Sequence, residues 1–395
     1  MNIALVTQSF LPRVGGLEWK VHYLATEYVA SGHSVTVFAM KPRGKYQDMP
    51  LNVNPNYTIV RCCYGFPGCS IIGADRLQYL WAILKLHRQQ PFDVLHCHPL
   101  GYSTLYGIDI KKRTGIPVVA TTCGADVQII PELNYGDRLN PRYDRIVRKS
   151  LREIDVVGSI SRSVRDAIES MCPTARIVDI PNGVDWDSFQ AGKSTSLHEL
   201  LGISKDSVVI LSVGRNHIKK GYVYGITAFA RIARRFKNAY YVIVGAGTSA
   251  LIPTVNEAQV AGQVKLIEQV PMTEMPAIYH SADIFFNPSL IEGFAQVNAQ
   301  ALACGLPCVI TDAPGNCDAG DRGGALIARS ADSNSMADKL QLLIEDVALR
   351  ERLAKEAHKA GMRYAWKVIA RQYLDIFEGL ITAKSKNLHE NSVSY

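Results

Sequence analysis

The feature that most constrains this chain is an alternation, met twice, of short β-branched apolar runs with segments of helical period. In the first half the runs fall at residues 3–7, 34–39, 57–61, 94–96, 118–121, 156–159 and 177–180. Between them, residues 19–31, 76–88 and 141–153 space their apolar positions as helices do. Strands that are nearly continuously apolar and separated by helices belong to parallel sheets with crossover connections. A largely polar stretch over 185–207 interrupts the pattern. It then restarts at 208–213 and continues at 240–244, 264–266, 284–287, 307–311 and 325–327. At 395 residues the chain exceeds what one hydrophobic core supports. The expectation is an α/β protein of two Rossmann-like, doubly wound domains facing a central cleft, with domains at 1–187 and 188–365. Helices are expected at 335–345, 348–364 and 366–383, followed by a polar, frayed tail from 384 to 395.

Charge and cysteine content narrow the setting. The formal net charge is +7, and five of those charges fall in residues 1–186. Runs such as Lys111-Lys112-Arg113 and residues 142–152 are candidate contacts for anionic lipid or an acidic acceptor, although solvated helix faces are the commoner cause of such runs. No nucleic-acid partner is expected. Nine cysteines, at 62, 63, 69, 97, 123, 172, 304, 308 and 317, show no Cys-x-x-Cys spacing, so reduced thiols are expected and a zinc site is not. Residues 1–9 are too short for a secretory signal core, and no apolar run reaches the roughly 20 residues that span a bilayer. The expected location is cytoplasmic, with room for work at the inner face of a membrane.

Three loops carry the candidate chemistry. Pro12-Arg13-Val14-Gly15-Gly16-Leu17-Glu18 follows the first strand and precedes a helix, which offers bare backbone to a phosphate at a helix N-terminus. Val213-Gly214-Arg215-Asn216-His217-Ile218-Lys219-Lys220-Gly221 opens the second series in the same way. There Arg215 supplies a planar bidentate donor and Lys220 a mobile point charge, a pair suited to a diphosphate. In Pro288-Ser289-Leu290-Ile291-Glu292-Gly293-Phe294-Ala295-Gln296, a carboxylate sits in a glycine-containing turn that opens a helix. Gln300 is expected two helical turns further along, on roughly the same face. His96 and His98 share one face of a strand and could be mistaken for a metal pair, but cleft-lining or packing histidines are the preferred reading. Asp185-Trp186-Asp187 is read as a helix start or linker feature and not as a metal site.

Taken together, Gly15-Gly16-Leu17-Glu18, Pro181-Asn182-Gly183-Val184-Asp185, Gly214-Arg215 with Lys220-Gly221, and Pro288-Ser289 with Glu292-Gly293-Phe294 resemble glycosyltransferase family 4 over nearly the whole chain. That resemblance implies the GT-B architecture, a retaining transfer from a nucleotide-sugar co-substrate with no other cofactor, and a C-terminal helix over 366–395 that returns to the first domain. It implies that Arg215 and Lys220 clamp the diphosphate and that Gly15 and Gly16 face it. Glu292 corresponds to the first glutamate of the family's Glu-x7-Glu motif and contacts the donor sugar, with Gly293, Phe294, Ala295 and Gln296 contributing amides. Catalytic roles are expected of Glu292, Arg215, Lys220 and Asp126.

Two positions depart from the family pattern. Gln300 stands where a ribose-binding glutamate is usual, which exchanges a charge-assisted hydrogen bond for a neutral one. Cys123, in Thr121-Thr122-Cys123-Gly124-Ala125-Asp126, stands where a histidine near the donor sugar is usual. The acceptor is expected to be a glycan, a lipid-linked glycan or a small hydroxyl compound, with peripheral membrane contact through the first domain. Two cationic side chains can take a metal's electrostatic role, so no metal is expected. The alternatives are a sugar-nucleotide epimerase on the same scaffold and a catalytically retired scaffold that binds nucleotide sugar. A dehydrogenase is disfavoured, because Gly245-Ala246-Gly247 lacks the third glycine and the ribose-binding acid.

Overall fold

The computed structural model describes residues 1–13, 15–42, 55–64, 74–191 and 197–393, with side chains of Cys63, Tyr64 and residues 386–393 left undescribed. Val14, Cys69 and the side chains of the terminal tail, all singled out in the sequence, lie outside that set.

The chain divides into two compact units, Met1–Asn182 with Trp366–Tyr395, and Gly183–Ala365. The division falls a few residues before the expected boundary at 187. Val184 N donates to Tyr364 O at 2.7 Å and Gln296 Nε2 to Gly183 O at 2.9 Å, which ties Gly183 onward to the second unit.

Seven strands build the first unit's sheet: β1 (Asn2–Thr7), β2 (Ser34–Lys41), β3 (Thr58–Tyr64), β4 (Val94–His98), β5 (Val118–Thr121), β6 (Val156–Ser159) and β7 (Ile177–Asp179). All pair in parallel, in the order β3-β2-β1-β4-β5-β6-β7. The order reverses between β1 and β4, the kind of switch point at which open α/β sheets bind ligands beyond the strands' carboxyl ends.

One face of this sheet is covered by the helix Gly16–Ala30, through Val21, Leu24 and Tyr28, and by the terminal helix Trp366–Val393, through Trp366, Ile369, Tyr373, Leu374 and Phe377. Phe377 meets Tyr28 edge to face at 5.7 Å between ring centroids. A buried polar chain adds a second tie. Tyr28 Oη lies 3.1 Å from His96 Nδ1, His96 Nε2 lies 2.7 Å from Thr121 Oγ1, and Thr121 Oγ1 donates to Tyr373 Oη at 2.9 Å. The terminal helix continues to Val393, where a frayed tail was expected from 384. Polar residues propagate a helix well once its first turns are anchored by packing.

The second unit has six parallel strands: β8 (Val208–Val213), β9 (Ala239–Val244), β10 (Val264–Ile267), β11 (Ile284–Asn287), β12 (Cys308–Thr311) and β13 (Ala325–Ala328). Their order is β10-β9-β8-β11-β12-β13, with its switch point between β8 and β11. The helices Tyr222–Ala233 and Ser333–Glu345 bury Ile226, Phe229, Met336 and Leu340 in one core with Ile210, Tyr241 and Phe286 of the strands. Truncating Phe377 to Ala should remove both its aromatic contact and its packing in the first unit's core. We expect a loss of about 3–5 kcal/mol in denaturant-derived stability.

Candidate active site

In the second unit the site begins at the switch point. β8 ends at Val213 and β11 at Asn287, and the loops that follow them carry Lys220 and Glu292. Glu292 is only 5% exposed. Its Oε1 accepts from Lys220 Nζ at 2.6 Å, and its Oε2 accepts from Lys219 Nζ at 3.3 Å. Ser289 Oγ lies 2.9 Å from Glu292 Oε1 and 2.7 Å from Asn287 Oδ1, one proton shared between two acceptors. Burial alone pushes the Glu292 carboxyl up, but the charges of Lys220 and Lys219 and these hydrogen bonds outweigh it and hold the group below the usual carboxylate range.

The geometry depends on close backbone approach. Gly221 has φ +62°, and a Cβ there would stand 2.1 Å from Pro288 O. Gly315 has φ +70°, and a Cβ there would stand 2.0 Å from Glu292 O. Only glycine combines left-handed backbone with that proximity.

Beneath the turn lies a buried amide network that periodicity could not reveal. Asn287 Nδ2 donates to Asn298 Oδ1 and to Asn316 Oδ1, both at 2.7 Å, and Asn298 Nδ2 donates to Asn316 O at 2.7 Å. Asn316 Nδ2 reaches Thr311 Oγ1 at 2.7 Å. These bonds join the end of β11, the helix Gln296–Ala303 and the loop after β12 into one rigid seat for residues 288–292. The only sequence signal was polar residues at positions whose neighbours are apolar.

Several expected positions take particular places. The helix begins at Gln296, so Glu292 lies in the turn before it and Gln300 only about one turn inside, where two turns had been expected. Gln300 Oε1 accepts from the buried Tyr279 hydroxyl at 3.0 Å. The Gln296 side chain is committed to Gly183 O. The amides of Glu292 and Ala295 donate to Pro314 O and Gly315 O, which leaves those of Gly293 and Phe294 unpaired among the described residues. Arg215 is exposed and forms no ion pair among the described residues, whereas Lys220 is held by Glu292. Asp185 is the N-cap of the helix Trp186–Gln190, in line with its reading as a helix start.

In the first unit, Gly15 is the extended N-cap of the helix Gly16–Ala30. Its lack of a side chain leaves room for the Glu18 carboxylate, which would lie 2.5 Å from a Cβ there. Glu18 is bonded by Ser9 Oγ and approached by Arg13 Nε at 3.9 Å. The positive end of this helix therefore already faces its own carboxylate. Asp126 accepts at Oδ1 from Cys123 N (2.9 Å) and at Oδ2 from Leu100 N (3.0 Å), so it staples the loops after β4 and β5 together. Burial pushes its carboxyl up to about 7, against the pull of those amides and of Lys20. Buried Lys20 donates to Thr122 O at 3.1 Å, and burial drives its ammonium below the usual range. The Cys123 thiol is likewise pushed up to about 12 by burial, which keeps it a neutral thiol.

His96 uses both ring nitrogens within the protein. His98 is fully buried with neither nitrogen partnered among the described residues. No cluster of three or more ligating side chains exists among the described residues. Within the basic runs, Lys111 pairs with Asp155, Lys112 with Glu153 and Arg148 with Asp144. No helix among the described residues is long and apolar enough to cross a membrane.

Two parallel, doubly wound units with polar loops at both switch points define the GT-B class of fold. Residues 14–188 match the family model described as Glycosyltransferase Family 4, and residues 194–360 match that described as Glycosyl transferases group 1. The chain belongs to the family-4 glycosyltransferases and is a glycosyltransferase of GT-B type. Among curated relatives it is 28% identical to phosphatidyl-myo-inositol mannosyltransferase of Mycobacterium leprae, across 98% of this chain and 99% of that one. It is 26% identical to D-inositol 3-phosphate glycosyltransferase of Corynebacterium jeikeium, across 96% and 97%. Anabaena HepE, solved with UDP-glucose, shares the fold at a TM-score of 0.75 and 18% identity, covering 96% of this chain and 100% of that one.

Two measurements check this geometry. Gly221→Ala forces both strain and a backbone collision, so denaturant unfolding should show a loss of about 2 kcal/mol or more. Asp126 has a raised carboxyl in the folded protein, so its contribution to stability is fully present below the unfolded value and disappears as pH rises through about 7. The urea midpoint should therefore fall between about pH 5 and 8, and Asp126→Asn should flatten that dependence.

Proposed function

We propose that this glycosyltransferase is a retaining enzyme that moves a sugar from a nucleoside-diphosphate sugar to an acceptor hydroxyl, with the donor seated on the second unit. The observation that carries this reading is the Lys220–Glu292 constellation at the β8/β11 switch point. Arg215 lies on the loop after β8 with a guanidinium that no carboxylate claims among the described residues. Lys220 and Arg215 stabilise the negative charge that grows on the diphosphate as its bond to the anomeric carbon breaks. The unpaired amides of Gly293 and Phe294 add donors to the same region. Glu292, kept ionised by the lysines, accepts hydrogen bonds from sugar hydroxyls and orients the ring. The acceptor oxygen bonds to the anomeric carbon on the face the phosphate leaves, and the departing phosphate takes the acceptor's proton. Two side-chain cations serve where other transferases use a metal, so transfer proceeds without one.

The relatives' names point to the acceptor side. A phosphatidyl-inositol mannosyltransferase and an inositol-phosphate glycosyltransferase support a glycolipid or related envelope acceptor, and HepE's UDP-glucose supports a nucleotide-sugar donor. On the first unit, the helix Ala74–Gln89 exposes Leu77 (68%) and Trp81 (66%), with Lys85 Nζ 4.9 Å from the Trp81 ring centroid. That combination suits shallow contact with a bilayer interface from the cytoplasmic side.

Calorimetric titration with UDP, GDP and ADP, with and without divalent metal, tests the donor assignment. One nucleotide should bind, metal should not be required, and Arg215→Ala and Lys220→Ala should each weaken binding at least about tenfold. Exposed Arg215 serves as the control for any destabilisation at Lys220. Binding that ignores both substitutions, or no binding at all, would make the retired-scaffold reading the better one. Turnover of nucleotide sugar without acceptor would favour an epimerase.

A further inference from the structure

The chain enters the second unit at Gly183 and leaves it at Ala365, and within that unit the two ends are bonded to each other. Val184 and Ala365 form a parallel bridge, and Val184 N donates to Tyr364 O at 2.7 Å. Both ends then run against one element, the helix Gln296–Ala303, whose preceding turn carries Glu292, Gly293 and Phe294.

Contacts are made at both ends of this helix. At its start, Gln296 Nε2 donates to Gly183 O at 2.9 Å, and the Phe294 ring centroid lies 5.5 Å from that of Tyr364. At its far end, Gln190 Nε2 donates to Ala303 O, and Cys304 Sγ donates to Phe189 O at 3.5 Å. Gly361 packs so closely there that a Cβ would stand 2.8 Å from both Ala303 N and Leu302 O. The buried Tyr364 hydroxyl lies 3.2 Å from Ala319 O, which carries the same frame to the loop after β12.

The start of the helix needs such a frame. Its N-cap is Ala295, and no side-chain hydrogen bond caps it. A helix that opens on alanine lacks the side-chain acceptor that ordinarily fixes its first turn. Tertiary contacts replace it. Ala295 N donates to Gly315 O at 3.1 Å and holds the backbone from one side. Gln296, at the first helical position, turns its amide to Gly183 O and holds it from another. The amides of Gly293 and Phe294 meet no acceptor among the described residues, so the place at which they are offered to a ligand is set by these two attachments.

We infer that Gln296 is a positioning residue: by tying the first residue of its helix to Gly183, it fixes the Gly293 and Phe294 amides where a nucleoside diphosphate meets them. This rests on the reading of the second unit as the seat of the nucleotide, and it adds a regulation of that seat. The turn and the two ends of the unit form one bonded block. By linkage, nucleotide bound at the turn then stabilises the Val184–Tyr364 bond, and loosening that bond weakens the nucleotide by the same factor. The bond at the far end of the helix, from Gln190 to Ala303, belongs to the same strap but does not reach the turn. It holds the helix without setting the amides.

The test is amide hydrogen exchange at Val184 in the full chain, free and saturated with whichever of UDP, GDP and ADP it binds, alongside calorimetric titration of the same nucleotide. In the unaltered chain the nucleotide should slow Val184 exchange at least about fivefold. Gln296→Ala and the shape-preserving Gln296→Met should weaken nucleotide binding by about three- to tenfold and remove most of that protection, with an unchanged urea midpoint as the sign of intact folding. Gln296→Lys keeps an N–H donor on a side chain of similar length and should restore the protection. Gln190→Ala removes a bond of the same kind from the same strap and should leave both affinity and protection near those of the unaltered chain. That contrast separates positioning of the turn from general loosening of the helix. Nucleotide that binds without protecting Val184, protection indifferent to Gln296, or an equal loss in Gln190→Ala would overturn the inference. Failure of every nucleotide to bind the unaltered chain counts against the donor assignment itself, and the positioning role falls with it.

Discussion

A carboxylate with 5% exposure, Glu292, is kept ionised because Lys220 lies 2.6 Å from one oxygen and Lys219 3.3 Å from the other. Burial of a charge on this scale is tolerable only with partners fixed in place, so the surrounding backbone has little freedom. That requirement accounts for Gly221 and Gly315 in left-handed conformation, for the Asn287–Asn298–Asn316 network under the turn, and for the short contact between the loops after β8 and β11. The outcome is a preorganised charged seat whose arrangement is fixed during folding.

The first unit solves a different problem with similar means. Its switch point is filled by buried ionisable groups, Lys20, His96, His98 and Asp126, each shifted by burial toward its neutral form. Asp126 ties two loops through backbone amides, and His96 links the sheet to the terminal helix through Tyr28, Thr121 and Tyr373. The polar groups here serve shape: they hold the loops after β4 and β5 against each other and the sheet against its covering helices.

This division clarifies the two departures from the family pattern. Gln300 is held by the Tyr279 hydroxyl, so its carbonyl is oriented and its amide nitrogen remains as a donor, a neutral counterpart of a carboxylate at that position. Cys123 lies in the loop that Asp126 pins, and burial keeps its thiol neutral. A small, uncharged group at that point leaves the loop itself undisturbed.

The sequence by itself determined the two parallel sheets, because apolar runs buried on both faces and separated by helical segments admit few other folds. It also marked the loops that carry the candidate residues, since Gly15-Gly16, Gly214-Arg215 with Lys220-Gly221, and Glu292-Gly293-Phe294 each directly follow a strand or open a helix. Only the tertiary structure decided what individual side chains do. Asp126 became a staple between loops, Gln296 a brace on Gly183, Glu18 the partner of its own helix terminus, and the Asn287 network the floor of the site. The physical reason is range. Periodicity and turn chemistry are local and can be read along the chain, whereas hydrogen bonds such as Thr121 to Tyr373 join residues that only folding makes neighbours.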